Sequence, residues 1–144
     1  MAETKKRTLI YIDEETFPIY KKLMKSKYFK NNLHLFTCAT LVGKFIIKHS
    51  KSINKKKDYI RVNDNKNDDN LSILKCLAIS DEGNVNILNN DDELFEYCEK
   101  YANIGIREID RWYTDPECKF NQKLAEVLLV FWEDIDLDSL KDEG

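Results

Sequence analysis

The chain has 144 residues, 42% apolar and 34% charged, with a formal net charge of −3. That balance is normal for a soluble globular chain and argues against wholesale disorder, while the length fits one core and crowds two. Only 4 glycines and 2 prolines are present, which argues against a turn-rich β-sandwich and leaves a mainly α domain of about five helices as the expected fold.

Thr8-Leu9-Ile10-Tyr11-Ile12, rich in β-branched and aromatic residues and closed by Asp13-Glu14-Glu15, reads as a strand. A first helix follows, with Thr16 as N-cap and Pro18 in the first turn, where a missing N–H is harmless. Ile19, Tyr20, Leu23 and Met24 form its apolar side, and Lys21, Lys22 and Lys25 the other. Asn31 or Asn32 should cap a second helix over about Leu33–Lys48. Leu35, Ala39, Val42 and Ile46 make one stripe of it, and Phe36, Cys38, Leu41 and Phe45 widen that stripe nearly all round. A helix of that kind belongs at the centre of a core.

Residues 49–70 read as loop, with a brief strand at Asp58–Val62 that could pair with residues 8–12 in a hairpin-like element. A third helix is expected from about Asp69 to Ile79, burying Leu71, Leu74, Cys76, Leu77 and Ala78 and ended by Asp81-Glu82-Gly83-Asn84. Asn90 and Glu93 have capping-box spacing before a fourth helix from Asp91 toward Tyr113, whose buried set is Leu94, Phe95, Cys98, Tyr101, Ala102, Ile106 and Ile109. Gly105 inside it predicts a kink or a close helix contact. A fifth helix is expected over about Glu117–Trp132. One helical domain thus covers residues 1–132, and 133–144 form an acidic tail, either flexible or a docking peptide.

Charge is unevenly distributed. Residues 1–72 carry 16 Lys+Arg against 8 Asp+Glu, and residues 73–144 carry 7 against 18. A basic end and an acidic end speak to partners rather than to fold. No apolar run approaches membrane-spanning length and the N-terminus has no signal-peptide pattern, so a cytoplasmic location and no membrane partner are expected.

Little in the chain suggests catalysis. Cys38, Cys76, Cys98 and Cys118 show no C-x-x-C spacing and read as reduced thiols rather than a zinc site. His34 and His49 open and close one helix, about 22 Å apart, so they cannot share a metal or a nucleophile; His49 suits the helix dipole instead. The carboxylate groups Asp13/Glu14/Glu15, Asp91/Asp92/Glu93 and Glu133/Asp134/Asp136 lack the further spaced acids and lysine of a metal-dependent nuclease. Nucleotide-binding and hydrolase loop motifs are absent. No catalytic residue, metal site or cofactor is expected.

The basic residues are the stronger lead. Lys5, Lys6 and Arg7 flank one candidate strand and Lys55, Lys56 and Lys57 the other. If the strands pair, these cations would converge with Arg61 into a patch that contacts phosphates without reading sequence. The strand–helix–helix order of residues 8–48 also resembles a ribbon-helix-helix unit, which would make the chain a homodimeric DNA-binding regulator. Neither face of the strand is polar enough to read bases well.

Three stretches carry a wider resemblance: Tyr28-Phe29-Lys30 leading into Leu35-Phe36-Thr37-Cys38-Ala39-Thr40-Leu41-Val42-Gly43; Ile73-Leu74-Lys75-Cys76-Leu77-Ala78; and Glu99-Lys100-Tyr101-Ala102-Asn103-Ile104-Gly105-Ile106. Over residues 28–113 the chain resembles the DNA phosphorothioation-associated (dnd system-associated) protein four family. The resemblance implies a non-enzymatic accessory component of a prokaryotic DNA phosphorothioation-linked restriction and defence system. It implies partners among the other proteins of that system, with the basic half toward DNA, and carries over no catalytic residue.

Overall fold

The computed structural model describes residues 7–26, 28–65, 67–83 and 85–127. The chain is mainly helical, with one small antiparallel sheet. Strand β1 (Leu9–Asp13) runs through a 3-10 turn (Glu14–Thr16) into α1 (Phe17–Lys25). Helix α2 (Asn32–Leu41) continues into a π-helical segment (Val42–Ile47), and β2 (Lys56–Arg61) returns beside β1. Helices α3 (Asp69–Glu82) and α4 (Asp91–Thr114) follow, and residues 120–127 begin α5. The expected helix to Trp132 and the acidic tail extend beyond the described residues.

Helix α2 is the centre of the core, as its all-round apolar sequence predicts. Leu33 and every residue from Leu35 to Leu41 are buried. Its two threonines are tolerated there because their hydroxyls donate to helix carbonyls one turn back, Thr37 to Leu33 and Thr40 to Phe36. Asn31, rather than Asn32, is the cap: its side-chain oxygen accepts from the His34 N–H at 2.8 Å. The α-helical stretch ends earlier than expected, at Leu41. The wider π turns take over and close at Lys48 in a left-handed conformation, φ 64°.

Two glycines explain how α2 and α4 cross. A Cβ on Gly105 would stand 1.8 Å from the Ala39 carbonyl oxygen, and one on Gly43 would stand 2.0 Å from the Tyr101 carbonyl oxygen. The backbones therefore touch at both places, which is the close contact that Gly105 predicted. The π turns fall on the Gly43 side of this crossing.

Other boundaries shift for identifiable reasons. Thr16 precedes α1 but makes no cap; its hydroxyl donates to the Asp13 carbonyl, and Asp13 caps the 3-10 turn through Glu15 N–H. Helix α3 runs three residues past Ile79 and stops at Gly83, whose left-handed φ of 68° suits glycine. Cys76 is exposed, contrary to expectation. The buried stripe Leu71, Leu74, Leu77 and Ala78 leaves position 76 about 200° round the helix from Leu74. Cys38 and Cys98 are buried free thiols as expected, and burial pushes the Cys38 thiol up to about 12. The Asn90 cap forms as its spacing predicts, accepting from Glu93 N–H.

The predicted hairpin-like pairing is present. Leu9 lies opposite Arg61, Ile10 opposite Ile60 and Asp13 opposite Lys56, with an irregularity between Ile10 and Tyr11. Ile10, Ile12 and Ile60 turn into the core. On the other side α4 carboxylates accept two N–H groups: Asp91 takes that of Arg7, two residues before β1, at 2.8 Å, and Glu99 takes that of Tyr11, within it, at 2.7 Å. With β2 on one edge and these carboxylates on the other, β1 has little edge left for the strand of a second copy. A ribbon-helix-helix dimer requires that edge.

Candidate nucleic-acid interface

The antiparallel register sets Lys57 opposite Ile12 and Lys56 opposite Asp13, whereas Arg7 precedes the Leu9 end that faces Arg61. The two basic stretches therefore meet opposite ends of the pairing, and alternation along β2 separates the lysine side chains. The Lys56 ammonium lies 5.2 Å from the Tyr11 ring centroid, and Lys57 lies 4.8 Å from the Phe17 ring centroid. Consecutive lysines thus end on different aromatic rings. The expected seven-cation patch does not form as one cluster among the described residues, which exclude Lys5 and Lys6.

Arg7 is turned inward. Its guanidinium donates to Glu99 at 2.7 Å, with side-chain exposures of 11% and 2%, so the pair is screened from solvent. It also pairs with Asp92 at 3.3 Å and covers the Tyr11 ring at 4.9 Å. Burial raises the Glu99 carboxyl above the ordinary glutamate value, against the pull of Tyr11 N–H and Arg7. Removing one partner of such a pair leaves an uncompensated charge, so Arg7 is committed to holding β1 on α4. Lys55 pairs with Glu14 at 3.1 Å, both side chains exposed. Arg61 stands apart, at a surface depression shared with Thr8, Asp58, Tyr59 and Asp64.

Two α4 residues absent from the sequence-based site, Asn103 and Arg107, act with Asp13 of β1 at the loop before β2. The Asn103 amide donates to the carbonyls of Lys51 and Ser52 at 3.0 and 3.2 Å. Arg107 binds back to Asn103 and reaches Glu15 at 3.6 Å. Buried Asp13 closes the set by accepting from Asn54 N–H at 3.0 Å. Burial pushes the Asp13 carboxyl upward, but the Asn54 and Glu15 N–H donors with the Arg107 charge outweigh it and hold the pKa below normal. Glu99, Asn103 and Arg107 recur every four residues. That polar stripe is visible in the sequence beside the apolar stripe of the same helix.

Most of the described acids flagged by the sequence are thereby occupied. Asp13, Glu14 and Glu15 each hold a partner, and Asp91 and Asp92 both bind Arg7; Glu133, Asp134 and Asp136 lie outside the described residues. Among the described residues no three His, Cys, Asp or Glu side chains gather in a metal-binding group. His34 accepts the Lys30 N–H at Nδ1 and packs against Phe29, and burial lowers its pKa. His49 is exposed. No helix among the described residues is long and apolar enough to cross a membrane.

What remains is a small basic and aromatic cluster. Lys21 of α1 lies 5.5 Å from the Phe17 centroid, four residues back on the same helix, and Lys57 reaches that ring from β2. Each contact is worth about 0.5–1 kcal/mol at an exposed site, enough to bias where the amines sit. No carboxylate of the described residues pairs with either lysine; the nearby Glu14 and Glu15 are taken by Lys55 and Arg107. The Phe17/Lys21 spacing of four was the available sequence signal, but the arrival of Lys57 depends on the strand register. No protein-family model, curated protein or solved structure matches the chain.

Proposed function

We propose that the protein is a non-enzymatic accessory component of a DNA phosphorothioation-linked defence system, contacting DNA phosphates while assembling with protein partners of that system. The DNA contact is supported by one observation above the others. Lys21 and Lys57, from separate elements, meet at Phe17 without an acidic partner among the described residues. Two mobile ammonium groups held near each other can bridge phosphates and displace counterions without reading bases.

The link to phosphorothioation rests on the residue resemblance. Several residues that carry it, Ala39, Gly43, Tyr101 and Gly105, make the α2–α4 crossing. It is therefore a resemblance in what shapes the fold.

The test is fluorescence anisotropy of a labelled duplex, unmodified and phosphorothioated, titrated across a salt series. Binding should weaken with salt at a slope of about −0.9 per phosphate neutralised, and Lys57→Gln should make that slope shallower by about 0.9. A difference between the two duplexes would add recognition of sulfur. Absence of binding to either at low salt would overturn the DNA contact and leave an assembly role, to be pursued through pull-downs with the other system components.

A further inference from the structure

We infer that Phe17, flanked by Lys21 and Lys57, is a stacking platform for an unpaired base, so that the preferred ligand is single-stranded rather than duplex nucleic acid. This rests on the nucleic-acid reading above and narrows it.

Two rings among the described residues carry paired cations, and they differ in what the cations can do. At Tyr11 one of the two is Arg7, locked to buried Glu99, and the Tyr11 backbone is fixed to the same carboxylate. That ring is part of the frame. At Phe17 both cations are exposed lysines with no carboxylate partner among the described residues, and the ring is only partly buried. An incoming phosphate would draw the amines off the ring and uncover the apolar face that they shield. An unpaired base then has both requirements of sequence-tolerant single-strand binding, an aromatic surface and cations beside it. A base inside a duplex is already stacked and cannot use the ring.

The frame beneath the platform is fixed. Asn103 and Asp13 bind the loop that leads into β2, so Lys57 approaches Phe17 from an anchored strand. Phe17 itself begins α1, one turn before buried Tyr20.

The experiment compares labelled dT12 with a hairpin duplex of equal nucleotide count, by anisotropy across a salt series, for wild type, Phe17→Leu and Lys57→Gln. Leucine keeps an apolar side chain where the ring packs, and a thermal melt checks that each variant is folded. The expected result is tighter binding of dT12, a loss of about tenfold for Phe17→Leu with an unchanged salt slope, and a slope shallower by about 0.7 for Lys57→Gln. Duplex binding equal to that of dT12, or a Phe17→Leu effect shared by both ligands, would overturn the platform and leave the duplex reading standing. Binding of neither ligand at low salt would overturn both.

Discussion

An added methyl group at Gly105 would meet backbone, and backbone cannot swing aside as a side chain can. The nearest atoms are the Ala39 carbonyl oxygen at 1.8 Å and the Gly43 nitrogen at 2.8 Å. Alanine would recover about 1 kcal/mol of helix propensity, but overpacking a tight contact costs about 1–3 kcal/mol and sometimes more. The crossing can only open by separating α2 from α4, so the clash should win. Gly105→Ala is expected to destabilise the protein by about 2 kcal/mol, and Gly105→Leu by more, measured from urea midpoints at constant slope. An alanine variant as stable as wild type would mean that the helices can part at little cost. The sequence announced this contact by placing a glycine inside a long helical pattern. It could not name Ala39 and Gly43 as the other side, because no local pattern reports which helix lies opposite.

Between elements, the sheet is held to α4 by carboxylates whose titrations oppose one another. Asp13 has a folded pKa below the ordinary 3.8, so the unfolded chain takes up its proton first. Its stabilisation is present above 3.8 and is lost as pH falls through the folded value. Glu99 has a folded pKa above the ordinary 4.5, so there the folded protein takes up the proton first. Its contribution is greatest below 4.5 and is lost as pH rises through the folded value. Urea midpoints of wild type, Asp13→Asn and Glu99→Gln between pH 3 and 7 should separate the two. The stability gap between wild type and Asp13→Asn should narrow toward acid, while wild type should gain on Glu99→Gln over the same range. Parallel profiles for both variants would refute the assignment. The elements these groups join were legible as a strand pattern and a long amphipathic helix with an Asn90 cap. The joint was not. Glu99, Asn103 and Arg107 look like ordinary helix-surface polar residues until β1 and the loop at Lys51–Asn54 cover them, and the coverage is a tertiary event. The π turns after Leu41 also escaped a pattern-based reading, since apolar residues continue through them unchanged.

For the whole molecule, the uneven charge of the two halves has an internal use. Arg7 pairs with Glu99 and Asp92, Lys22 with Asp110, and Lys44 with Asp81, each joining a cation of the basic half to an acid of the acidic half. Three cations and four acids of the two halves are thus spent on closing the fold. The free basic surface is correspondingly smaller than the count of lysines suggests. The same pairs bear on assembly. Arg7 N–H, two residues before β1, and Tyr11 N–H on its outer edge are bound by Asp91 and Glu99, while β2 fills the inner edge. For β1 to join the β1 of a second copy, Asp91 and Glu99 would have to release those N–H groups, leaving buried carboxylates short of donors at a cost of roughly 1–3 kcal/mol each. A two-residue gain in strand pairing does not offset that. Light scattering at micromolar concentrations should therefore give the mass of one chain, and Glu99→Gln, which loosens the edge, should be the variant in which any strand-paired dimer first shows. A wild-type dimer abolished by Tyr11→Pro would restore the ribbon-helix-helix reading and overturn the expected single-chain mass.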